Sequence, residues 1–196
     1  MTMKSFAVAA AFVGAATFSA PALAGLTFDV DHGGSSITVA DLDCYLLPTC
    51  TANAGLAFGN DFSFDLEEGE SVSFNFANLY LGGLGGGDVD FTATLAFDAP
   101  IAGSASTGGS GWFLTAFGAI SGGALTWNAI APIIADDGSI FTVSFQNLAG
   151  IDFGSPTKVK ATVTAVNIVD VPEPAALALF GLGLVGLAAA RRRKAA

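Results

Sequence analysis

Apolar and polar positions alternate with a period of two through most of the middle of the chain. Phe62, Phe64 and Leu66 are interleaved with Ser63 and Asp65. After Glu67-Glu68-Gly69-Glu70, Val72, Phe74 and Phe76 are interleaved with Ser73 and Asn75. Residues two apart on a strand share a face, so each run predicts a half-buried strand, and the pair around a short glycine-bearing turn predicts a hairpin. The same alternation recurs at Val89, Phe91, Leu95 and Phe97, and at Phe141, Val143 and Phe145. A last long strand, rich in Val and Thr, is predicted from Lys158 to Val169. Glycine clusters predict turns at Gly33-Gly34, Gly82 to Gly87, Gly108 to Gly111, Gly122-Gly123 and Asp136-Asp137-Gly138. Between Leu26 and Asp170 no segment carries a helical period. One apolar face and one Ser/Thr/Asn/Asp face suit an all-β fold, an antiparallel β-sandwich with phenylalanine supplying most of the large core side chains. Strand order is not readable, so jelly-roll and Ig-like topologies both stay open.

The two ends follow a different pattern. Lys4 provides a short positive start, Ser5 to Phe18 is an apolar run, and Ala22-Leu23-Ala24 has the small-x-small form of a signal-peptidase site. Cleavage after Ala24 would leave Gly25 as the mature N-terminus. At the other end Val171-Pro172-Glu173-Pro174 precedes an uncharged apolar stretch from Ala175 to Ala190, then Arg191-Arg192-Arg193-Lys194. Pro172 and Pro174 fix φ and remove backbone donors, holding that tetrapeptide extended and open to a processing enzyme. As a helix, the 16 apolar residues would span roughly 24 Å, a little under the ~30 Å hydrocarbon core. Snorkelling arginines and local thinning of the bilayer make up the difference. The basic cluster is expected to stop in the cytoplasm, leaving everything before Val171 outside. The predicted organisation is a signal peptide (1–24), a β-domain (25–170) and a sorting tail (171–196) that includes a transmembrane helix.

This tail resembles the PEP-CTERM sorting signal of Gram-negative bacteria. The resemblance rests on the V-P-E-P motif, the glycine-containing apolar stretch and the R-R-R-K end, in that order, and covers only residues 171–196. It implies export, transient anchoring in the inner membrane, cleavage by an exosortase near Pro172-Glu173-Pro174, and transfer to the cell surface or an exopolysaccharide matrix. It carries no information about the domain being sorted.

Setting the two ends aside changes the charge. Five of the seven basic residues lie in them, so residues 25–174 keep Lys158 and Lys160 against all 17 acids, a balance of −15. Such a domain repels nucleic acid and anionic lipid. The mean hydropathy of +0.62 is raised by the same two ends. Cys44 and Cys50 are the only cysteines, both in the exported part, and an even count in an oxidising compartment predicts a disulfide between them. A structural zinc site would need four ligands, and His32 is the only histidine.

Few residues suggest chemistry. A Ser-His-Asp triad would have to use His32, near Asp29 and Asp31, and no G-x-S-x-G elbow supports one. Asp29-x-Asp31, Asp41-x-Asp43 and Asp88-x-Asp90 each offer two carboxylates on one strand face, as a calcium site or a glycosidase pair would. Gly82 to Gly87 lacks the Lys and Ser/Thr of a phosphate loop. Trp112, Trp127, Tyr45 and Tyr80 can stack on sugar rings if exposed. The reading is a non-enzymatic, cofactor-free surface or matrix protein. A carbohydrate- or calcium-binding module is the first alternative, and a surface hydrolase of unrecognised type the second. Exposed Trp112 and Trp127 would favour the binding module, and a buried pair the structural role.

Overall fold

The computed structural model describes residues 25–45, 49–116, 119–150, 156–169 and 180–184. Eleven strands are present among them: β1 (Leu26–Tyr45), β2 (Thr51–Leu56), β3 (Phe62–Leu66), β4 (Ser71–Gly82), β5 (Gly85–Ala99), β6 (Gly103–Ala116), β7 (Ala119–Trp127), β8 (Ile133–Ile134), β9 (Ile140–Phe145), β10 (Leu148–Ala149) and β11 (Thr157–Asn167). They form two antiparallel sheets. The first runs β10-β7-β6-β5-β1-β3 and the second β2-β4-β11-β9-β8.

The alternating phenylalanines explain why the two sheets stay together. Phe28, Phe76, Phe91, Phe113 and Phe141 are fully buried, in one core that also takes in Leu66, Leu79, Leu95, Val30, Val159 and Val163. Burying each Phe is worth about 1.5–3 kcal/mol. Rings from the two sheets meet at right angles across the core. Phe28 of β1 lies 5.1 Å from Phe141 of β9, and Phe97 of β5 lies 5.7 Å from the same ring, both edge-on. That geometry sets the positive edge of one ring against the negative face of another.

The predicted hairpin between β3 and β4 does not form. β3 pairs with β1 in the first sheet, whereas β4 pairs with β2 and β11 in the second. The intervening Glu67-Glu68-Gly69-Glu70 turn has Gly69 at φ 82°. It is tied to the end of β11, with the Gly69 amide donating to the Ala165 carbonyl at 2.8 Å and the Ala165 amide to the Glu70 carbonyl at 3.0 Å. Period-two alternation reports which face points inward, and a strand across the core satisfies it as well as one alongside. Phe62 and Phe74 therefore meet between layers, 4.9 Å apart.

Two of the predicted turns are strand interiors. Gly108 to Gly111 lies within β6 and Gly122-Gly123 within β7. A Cβ at Gly109 would fall 2.4 Å from the Trp127 indole, and one at Gly111 would fall 2.4 Å from the Ala124 carbonyl oxygen. These glycines admit close neighbours and do not reverse the chain. Likewise only Gly83 and Leu84 separate β4 from β5 in the Gly82 to Gly87 run. Gly33-Gly34 belongs to an irregularity inside β1, where the register with β5 jumps between Asp31 and Ser36. The turn at Asp136-Asp137-Gly138 stands, with Gly138 at φ 89°.

Candidate functional site

Three arrangements carry the chemistry-bearing residues. The first is the β1 irregularity around His32. Asp31 is committed there to the backbone, its carboxylate accepting from the Gly33 and Gly34 amides at 2.7 and 2.9 Å. Ser35 Oγ donates to the Asp31 carbonyl at 2.6 Å and accepts from the Ala96 amide at 3.0 Å, which pins the protruding segment back onto β5. The His32 ring packs edge-on against Phe58 at 5.5 Å, while its backbone amide donates to Asp61 Oδ1 at 2.8 Å. Asp29, half-buried, sits in register with Ser63 and Ala99. Asp31, His32 and Ser35 each have a structural task, and among the described residues no serine hydroxyl is hydrogen-bonded to the imidazole.

The second is the join between β1 and β2. Cys44 and Cys50 form a disulfide with Cα atoms 5.8 Å apart. Cys44 belongs to the first sheet, and Cys50 immediately precedes the first residue of β2 in the second, so the bond closes a crossing between layers. Cys50 is buried. Gly87 makes room beneath it, since a Cβ there would meet Cys50 Sγ at 3.0 Å and the Asp43 carbonyl oxygen at 2.9 Å.

The third is the outer face of the first sheet, which brings together two of the aspartate pairs. β1 and β5 align Asp43 with Asp88 and Asp41 with Asp90, placing four exposed carboxylates in two adjacent rows. β6 extends those rows with Trp112 opposite Asp88 and Ser110 opposite Asp90. On the other side of the Trp112 row, Tyr45, Gly86 and Leu114 align, and Leu114 and Tyr45 fill the space a Cβ on Gly86 would take. Trp112 is 44 % exposed and Tyr45 39 %. Among the described residues no group of three or more His, Cys, Asp or Glu side chains is arranged to hold a metal ion.

The two tryptophans are split between core and surface. Trp127 is buried between Phe91 and Phe145, at 6.3 and 5.4 Å, while Trp112 stands in solvent one strand away. Tyr80 is exposed too, but on β4 of the other sheet.

The terminal segments are largely outside the described residues. That holds for Ala22 and Ala24 of the expected cleavage site, for Val171, Pro172, Glu173 and Pro174, and for Arg191, Arg192, Arg193 and Lys194. Residues 180–184 are helical, with Phe180, Leu182 and Leu184 exposed. No helix among the described residues is long and apolar enough to cross a membrane.

No curated protein and no solved structure matches the chain. One family model does, described as the PEP-CTERM protein-sorting motif, over residues 170–194. The motif implies export, membrane-anchored transit and processing by an exosortase. What the comparison identifies is therefore the tail: residues 170–194 of the chain carry a PEP-CTERM protein-sorting motif.

Proposed function

We propose that this is a non-catalytic protein of the cell surface or extracellular matrix, an antiparallel β-sandwich delivered by its tail. The observation that carries the reading is the sorting motif at residues 170–194, directly after the final strand of a nearly all-β region. A signal peptide over residues 1–24 and a single domain over 25–170 complete the proposed organisation. β1 and β2 belong to different sheets, and so do β2 and β3, and β3 and β4. In an Ig-like sandwich the first two strands share a sheet, so this start departs from the Ig-like order, while β5, β6 and β7 run on as a meander of neighbours within the first sheet.

Support for a non-catalytic role comes from the commitment of the rare groups. Asp31 holds backbone amides and His32 packs on Phe58, while the cysteines are tied to each other. The exposed Trp112 favours a carbohydrate-binding variant of the same reading. Brief protease treatment of intact cells tests delivery. Peptides from residues 25–170 should be released while cytoplasmic proteins stay intact. Protection of those peptides until the cells are lysed would contradict surface delivery.

A further inference from the structure

The middle of the first sheet's outer face has no covering element among the described residues, and its make-up indicates what it takes. Trp112 and Tyr45 stand two strands apart, on β6 and β1, with the β5 residues Gly86 and Asp88 between them. Neighbouring strands are about 4.8 Å apart, so the two aromatic side chains are rooted roughly 10 Å from each other sideways. Gly122, next to Leu114 on β7, has open space where a Cβ would be, so the surface beside the tryptophan stays low. Such a floor suits flat rings lying along it.

Two further facts narrow the occupant. β5 and β6, which carry Asp88, Asp90 and Trp112, are paired on both sides, so an extended peptide finds a free ladder edge only along β1, two strands from the tryptophan. A saccharide needs none, because its C–H faces stack on aromatic rings and its polar groups reach the flanking carboxylates. The second fact is charge. Asp41, Asp43, Asp88 and Asp90 face one another in register, and among the described residues the only lysines, Lys158 and Lys160, stand on β11 of the other sheet. Facing like charges destabilise a sheet, and a cation laid across them removes that penalty. An ammonium group is also attracted to the face of a tryptophan ring.

We propose that this face binds a polysaccharide bearing free amines, a hexosamine polymer whose ammonium groups lie over the four aspartates while its rings stack on Trp112 and Tyr45. This rests on the reading of the domain as a non-catalytic matrix protein and names its partner.

The test is calorimetric titration of the full chain in detergent with a chitosan oligosaccharide, at mildly acidic pH where its amines are protonated. Binding should weaken on the order of tenfold when the same oligosaccharide is N-acetylated. Trp112→Ala and the double variant D88N/D90N should each bring a comparable loss, and added salt should weaken binding further. Tyr80→Ala, on the other sheet, should change nothing, and circular dichroism should report an unaltered fold for these surface variants. Equal affinity for the acetylated form, indifference to Trp112→Ala, or no binding would each overturn the proposal. So would oligolysine binding as tightly as the amino-oligosaccharide, which would mark a non-selective acidic patch. None of those results touches surface delivery. Cleavage of the oligosaccharide by the protein would instead overturn the non-catalytic reading.

Discussion

Asp88 of β5 stands directly across from Asp43 of β1, two carboxylates facing each other on the outer surface of one sheet. Directly opposed like charges lower stability by roughly 0.2–1 kcal/mol relative to neutral pairs. Asp88→Asn should therefore raise stability by a few tenths of a kcal/mol in low salt, and the gain should shrink as ionic strength shortens the Debye length. Urea unfolding at two salt concentrations measures both effects. A loss of stability in low salt would mean that the carboxylate is held by a favourable interaction.

Gly109 leaves the space that the Trp127 indole occupies, since a Cβ there would lie 2.4 Å from the ring. Because that ring is buried between Phe91 and Phe145, it has no free direction in which to move. Gly109→Ala should cost about 1–3 kcal/mol, as overpacking does, and should shift the tryptophan emission. A variant as stable as the wild type, with unchanged fluorescence, would contradict this packing.

The Cys44–Cys50 disulfide joins the end of β1 to the start of β2, across the two sheets. For so short a loop the chain-entropy account gives about 2–3 kcal/mol. Cys44→Ser/Cys50→Ser should lose that much in denaturant unfolding. Thiol labelling of the denatured, unreduced protein should find no free cysteine, and stoichiometric labelling of both would rule the bond out.

How much of this was legible beforehand depended on what each pattern encodes. Inward-facing Phe62, Phe74, Phe91 and Phe141 could be picked out because burial on one face imposes alternation. Partnership could not, and β3 and β4, adjacent in sequence with matching patterns, proved to lie in opposite sheets. β6 and β7 were hidden by their glycines. At Gly109 and Gly111 the glycine accommodates a neighbour, a cause visible only once Trp127 and Ala124 are in place. The site followed the same division. Asp41-x-Asp43 and Asp88-x-Asp90 were evident as separate pairs, but their convergence beside Trp112 depends on long-range register. The separation of Trp127 from Trp112 also required the fold, since both sit in glycine-rich sequence with no clear alternation. The tail was the easiest segment to read, because its motif, apolar stretch and basic end are contiguous.

The central claim, that residues 170–194 direct the protein's sorting, is tested most directly by changing Pro172, Glu173 and Pro174 together to alanine. The substitution leaves the apolar stretch and Arg191 to Lys194 untouched, so anchoring is kept while the proline-held motif is lost. Mass spectrometry of the protein's C-terminus, in membrane and surface fractions, is the measurement. Wild type should reach the surface without its basic end, whereas the variant should be exported, remain in the membrane and retain Arg191 to Lys194. Processing and release of the variant at the wild-type level would contradict the account and reduce the tail to an anchor.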